Sequence, residues 1–264
     1  MIKKLLFLLT VWMVAGLLSC DTIKKTADEI NLFPVTDDIK LGQKLAAQIA
    51  ADTQTYPVLP EATNAEVYAY VRKLRDAVLN SGKIKYRRVF KWDVKIIDDD
   101  KTLNAFVTPG GYIYVYTGLI KFLDSEDQLI GVMGHEIAHA DRRHTTRQMT
   151  KSGALQMLVD AAIGKETAVT QVLEGVVGLK FSREHESEAD EYSVQYLCGS
   201  SYDAAGFANF FVKMSSKGGQ PPVFLSTHPA PATRVQDIKA TKQTLGCKGT
   251  QTNQSEYQRI KAML

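Results

Sequence analysis

The segment Gly131–His144, GVMGHEIAHADRRH, constrains this chain more than any other. His135 and His139 are four residues apart with Glu136 beside the first, and on a helix positions i and i+4 share a face. Two imidazoles at that spacing can converge on one ion while the glutamate lies to its side. Zinc suits the arrangement, because it takes neutral imidazole nitrogens, and three protein ligands leave a fourth position for water. An ordinary amphipathic helix whose histidines are satisfied by hydrogen bonds reads the same way up to this point. Either way 126–142 is expected to be helical. Ser125 with Gln128 reads as a capping box, and Glu126 and Asp127 put negative charge in the first turn.

A second motif decides between the two. The five histidines, His135, His139, His144, His185 and His228, all fall in the second half of the chain. Residues 182–190, SREHESEAD, read as a helix on which Glu186 and Asp190 share a face and Glu188 points elsewhere. Acidic runs are usually solvated helix faces; the pairing with the upstream histidines sets this one apart. Glu186 is the candidate third ligand, and Asp190 the carboxylate that holds a ligand imidazole by its other nitrogen, which fixes the tautomer. His144, on a different face from the second ligand, reads as a packing residue or one standing behind the ligands. His185 points about a quarter turn from Glu186, and neither is assigned to the metal.

The first twenty residues have the form of an export signal, with Lys3 and Lys4 ahead of an apolar run from Leu5 to Leu18 that is too short to span a bilayer comfortably. Leu17-Leu18-Ser19-Cys20 resembles the bacterial lipobox. Residues 1–19 are therefore expected to be removed and Cys20 lipidated, an anchor of acyl chains that needs no transmembrane helix. Residues 20–37 read as a tether and 38–264 as a single domain. The formal charge is +3, two of it from the signal lysines, so nothing points to nucleic acid. Of the three cysteines, Cys198 and Cys247 remain once Cys20 carries lipid, and in an oxidising compartment they are expected to pair. The oligomeric state and the choice of inner or outer membrane have no signal.

Helical periodicity marks 38–51 and 62–80, and alternation marks strands in 89–97, 104–108 and 112–116. The last, Tyr112-Ile113-Tyr114-Val115-Tyr116, puts three tyrosines on one face and reads as a half-buried strand; an accessible edge there could pair with an extended peptide substrate. Residues 146–180 read as two helices around Ile163-Gly164-Lys165, either a core hairpin or a lid. A helix over 182–197, a Gly/Pro loop over 217–227 and a helix over 231–244 follow. The expected fold is α+β and mainly helical, with a small sheet whose edge strand borders the cleft.

Asn104-Ala105-Phe106 with Pro109-Gly110-Gly111, His135-Glu136-Ile137-Ala138-His139, Glu186-Ser187-Glu188-Ala189-Asp190, and Thr227-His228-Pro229 with Arg234 occur in that order. Over about 38–244 this resembles the bacterial periplasmic zinc metallopeptidases related to the CAAX prenyl protease and HtpX, closest to their soluble lipoprotein branch. The resemblance implies a zincin-like fold, one zinc held by His135, His139 and Glu186, and Glu136 as the catalytic base. It also implies that the Pro-Gly-Gly strand forms the upper rim of a cleft for protein or peptide substrates, in the cell envelope. Some relatives carry a C-terminal repeat domain, for which this chain has no room. Charge on a tetrahedral oxygen needs a second electrophile, for which His228 and Arg234 are the candidates. His228, ending a Gly/Pro loop, could also swing onto the open metal position and give a self-inhibited state.

Overall fold

The computed structural model describes residues 31–217, 223–229 and 233–264. The signal segment and Cys20 lie outside the described residues. Helix α1, Val35–Ala51, buries Leu41, Leu45 and Ile49 one turn apart along a single stripe. It starts ahead of the expected boundary at 38, because Phe33 already packs with Leu41 and Leu45. Helix α2, Ala65–Leu79, buries Val67, Tyr70, Val71, Leu74 and Val78.

Strands β1 (Asp93–Ile97), β2 (Ala105–Thr108) and β3 (Tyr112–Tyr116) form one sheet in the order β1-β3-β2. β3 runs parallel to β1, with Val94 opposite Ile113, and antiparallel to β2, with Phe106 opposite Tyr114. This corrects the expectation for Tyr112–Tyr116. Both edges of β3 are occupied, so an extended peptide has no free backbone to join there, and among the described residues the strand with one partner facing the helical site is β2. The tyrosine face is also more buried than alternation suggested. Ile113 and Val115 face the main core with α2, whereas Tyr114 and Tyr116 join Phe106 in a second cluster beneath α1.

Helix α3 (Thr117–Phe122) leads into α4 (Glu126–Asp141), every residue of which is buried. The capping box does not form: Ser125 makes no side-chain cap bond, Gln128 Oε1 accepts from Asp124 N at 3.1 Å, and Glu126 N donates to Thr252 O at 2.9 Å. Three helices then occupy the span read as two: α5 (His144–Lys151), α6 (Leu155–Ala162) and α7 (Glu166–Val177). Gly153, at φ 80°, breaks α5 from α6, a left-handed turn that periodicity does not reveal. Met149, Leu158, Val169 and Val172 cover the tyrosine face, so this region is core.

Helix α8 (Arg183–Leu197) begins where Ser182 Oγ accepts from His185 N at 3.2 Å. It packs tightly on α4. A Cβ at Gly134 would lie 2.6 Å from Ser193 Oγ, and that hydroxyl donates to Gly131 O at 2.9 Å. Helices α9 (Gly206–Lys217), α10 (Val223–Thr227), α11 (Arg234–Thr244) and α12 (Gln254–Lys261) complete the described chain. The loop expected over 217–227 is therefore helical at both ends, with Phe224 fully buried in the core under α10. No helix among the described residues is long and apolar enough to cross a membrane.

Candidate metal centre

The tight α4–α8 contact fixes where the site can be. His135 and His139 project from α4, Glu186 from α8, and His228 from the residue after α10. One ligand atom from each lies within 4.8 Å of the others. His139 Nε2 is 2.9 Å from His135 Nε2 and 3.3 Å from Glu186 Oε1, and His228 Nδ1 is 3.0 Å from Glu186 Oε1. Glu136 stands to the side, its Oε1 3.6 Å from His228 Nε2. All five side chains are buried. Phe181 stacks on His139 with ring centroids 4.0 Å apart, and Phe224 stacks on His228 at 4.5 Å.

The electrostatics leave neutral imidazoles beside an ionised carboxylate. Burial, reinforced by the adjacent His135, holds His139 well below the ordinary imidazole value, and burial lowers His135 as well, so both keep nitrogen lone pairs. Burial opposes ionisation of Glu186, yet His228 and His139 outweigh it and hold the carboxyl well below its usual range. Burial pushes Glu136 up to about 7, and its Oε1 has no hydrogen-bond partner. Burial works against a charge on His228, but the Glu186 and Glu136 carboxylates raise it. Two neutral imidazoles, the ionised Glu186 carboxylate and a Glu136 oxygen without a hydrogen-bond partner make a buried donor set of the kind a divalent ion takes. The residues present therefore fit a metal.

Asp190 Oδ1 lies 2.9 Å from His135 Nδ1. Arg234 is placed otherwise than expected. Its Nε and Nη2 donate to Asp190 at 2.6 and 2.8 Å, its Nη1 lies 2.8 Å from Glu186 Oε2, and the guanidinium sits over the Phe211 ring. With both edges engaged it orients carboxylates and is not free to meet a developing oxyanion, which corrects the expectation of an electrophile. His228 lies among the ligand atoms themselves. Cys198 and Cys247 are joined, their Cα atoms 4.6 Å apart, across the ends of α8 and α11.

Sequence reasoning kept His144, His185 and Glu188 off the metal, with His144 as a packing residue or one behind the ligands, but did not join the three. His144 Nδ1 lies 2.9 Å from His139 Nδ1, its Nε2 lies 3.1 Å from Glu188 Oε2, and His185 stacks on it at 4.4 Å. Glu188 does point away from the ligand face, as helical geometry requires, and there it meets Arg142 and Arg147. Burial opposes its ionisation, but the His144 hydrogen bond and the Arg142 guanidinium hold it below the usual carboxylate range. The signal for this group was the clustering of Arg142, His144 and Arg147 in the stretch just after His139.

The profile of peptidase family M48 matches residues 61–242. A putative beta-barrel assembly-enhancing protease of Vibrio cholerae is 30% identical over 157 residues, covering 53% of this chain and 32% of that protein. The beta-barrel assembly-enhancing protease of Escherichia coli is 30% identical over 161 residues, 54% of this chain and 33% of that one. The mitochondrial metalloendopeptidase OMA1 of Schizosaccharomyces pombe is 30% identical over 156 residues, 56% of this chain and 46% of its own length. The matched region is therefore less than half of each of these relatives.

Proposed function

Because the chain belongs to peptidase family M48, a family of metallopeptidases, we propose that it is a zinc-dependent endopeptidase of the bacterial cell envelope. It would cut extended, unfolded or misassembled envelope proteins while anchored to the membrane through a lipidated Cys20. The observation that carries this reading is the convergence of His135, His139 and Glu186 on one point with the Glu136 carboxyl beside it. His135, His139 and Glu186 would hold the zinc, one per chain, which when bound acts as a Lewis acid toward a peptide carbonyl and an attacking water.

The remaining chemistry belongs to the chain's own residues. Glu136 Oε1, buried and without a hydrogen-bond partner, takes the proton from the attacking water and later delivers it to the leaving amine. Asp190 holds His135 through Nδ1, and Arg234 holds Asp190 and Glu186 in place. A peptide laid against β2, the sheet strand packed on α4, would be read by its backbone, with loose side-chain preference. Names of the two bacterial relatives refer to assembly of beta-barrels, which supports an envelope setting for substrates.

The experiment compares Glu136→Gln with the wild type. Zinc content is expected to stay the same while cleavage of an unfolded substrate disappears; equal cleavage by the two proteins overturns the reading. A second reading, a metal-containing, chaperone-like binding lipoprotein whose covered site rarely cuts, draws on the burial of the whole cluster. Phe224 N donates to Leu103 O at 3.2 Å just ahead of β2, and His228 takes a ligand position. On that reading His228→Ala raises cleavage or alters metal coordination; with neither change it is abandoned.

A further inference from the structure

The two imidazoles that α4 contributes to the centre are supported differently. His135 follows the simple arrangement, its Nδ1 on the Asp190 carboxylate. His139 has no carboxylate at Nδ1. It meets a second imidazole, His144 Nδ1, at 2.9 Å.

Proton placement along this contact is determined by geometry. His139 Nε2 is the atom that faces His135 Nε2 and Glu186, so the lone pair for a metal lies on Nε2 and the ring proton on Nδ1. A proton on His139 Nδ1 requires an acceptor, so His144 Nδ1 must be unprotonated. The proton of His144 then sits on Nε2, where Glu188 Oε2 accepts it at 3.1 Å. Glu188 is held on its far side by Arg142 Nε at 2.6 Å and Arg147 Nη1 at 3.1 Å. The His144 ring is fully buried, and His185 lies flat on it with 8° between the planes. The backbone is shaped to put it there: α4 ends at Asp141, Arg143 adopts the left-handed conformation at φ 59°, ψ 37°, and α5 begins at His144, which folds back beneath His139. A non-glycine residue in that conformation is uncommon and costs energy, so the packing around it must hold it.

We propose that His144 is a positioning residue for the metal centre, fixing His139 with its Nε2 lone pair toward the ion, and that Glu188, braced by Arg142 and Arg147, fixes His144 in turn. The inference rests on the metal-centre reading above. It adds a group, one residue further from the ion, whose role is orientation and not ligation. Partners at this distance typically change metal affinity 10- to 100-fold when removed.

The test uses the full mature chain and zinc itself, with affinity read by competition against a chelating dye. His144→Leu, which cannot accept from His139, is expected to weaken zinc binding by about 10- to 100-fold. The cobalt-substituted form should show a shifted visible absorption spectrum. His144→Asn, whose carbonyl can accept the same proton, should recover much of the affinity, which a residue that merely filled space would not do. Wild-type affinity and spectrum in His144→Leu overturn the proposal while leaving the centre intact. Absence of zinc binding in the wild type instead removes the metal-centre reading, and this inference with it. Should His144→Leu fail to fold, nitrogen NMR of the zinc-loaded wild type with labelled histidine decides: protons on His139 Nδ1 and His144 Nε2 support the proposal, and a proton on His144 Nδ1 overturns it.

Discussion

His135 and His139 sit one turn apart on the same helix and are equally buried, yet the two are backed by different structures. Behind His135 stand a carboxylate and a buried guanidinium contributed by α8 and α11. Behind His139 stand an imidazole and a partly exposed carboxylate contributed by α5 and α8, with Arg142 at the α4–α5 junction and Arg147 on α5. The first support is dry and charge-paired; the second reaches the surface, Glu188 being 24% exposed and Arg142 equally so. A dry ion pair is costly to break from one side, whereas a wet one is screened and replaceable by water. Breaking the support is therefore expected to cost more on the His135 side than on the His139 side.

Asp190→Asn should break the His135 side outright. It leaves the Arg234 guanidinium buried without its carboxylate, and loss of one partner of a buried pair costs about 3–5 kcal/mol. Urea unfolding should report the loss, and zinc affinity should fall with it; an unchanged midpoint would mean that Arg234 finds Glu186 sufficient. Next in size is the Cys198–Cys247 bond, which ties the end of α8 to the chain beyond α11, across a sequence separation of 49. Replacing both cysteines by serine should cost about 2–4 kcal/mol. Because α8 and α11 carry Asp190 and Arg234, the disulfide braces the His135 side; two free thiols in the freshly isolated protein would remove it from the account.

The smallest expected effect lies on the other side and depends on pH. Glu188 is held below the ordinary carboxylate range, so the stability it contributes is complete above that range and is lost as pH falls through it toward the lowered folded value. Glu188→Gln should therefore lower stability near neutral pH, where the ionised carboxylate is paired, and the difference from the wild type should shrink as pH falls below about 4. Parallel acid limbs for the two proteins would show that Glu188 is not bound this way.

The ligand side of the centre was legible because its information is local. The spacings of His135 to His139 and of Glu186 to Asp190 are helical repeats; the α4–α8 contact that joins them, where Gly134 lets Ser193 approach, is a tertiary feature the spacings do not state. The disulfide partners could be named by counting, once Cys20 was set aside. Strand order could not be read: alternation in Tyr112–Tyr116 says which side chains share a face, but not that β1 and β2 flank it on both edges. Nor could the partners of Arg234 or His144 be read. Each depends on helices far apart in sequence, and His144 depends besides on a left-handed turn at Arg143 that no residue preference announces. Val223–Thr227 looked like loop because its neighbours are glycine and proline, while burial of Phe224 makes it a helical turn.

Zinc content measured alongside casein cleavage, before and after a chelator, tests the central claim most directly. One zinc per mature chain, cleavage abolished when the metal is stripped and recovered when zinc is returned, is the predicted result. Cleavage that persists without metal, or a folded wild-type chain that takes up no zinc, would contradict it.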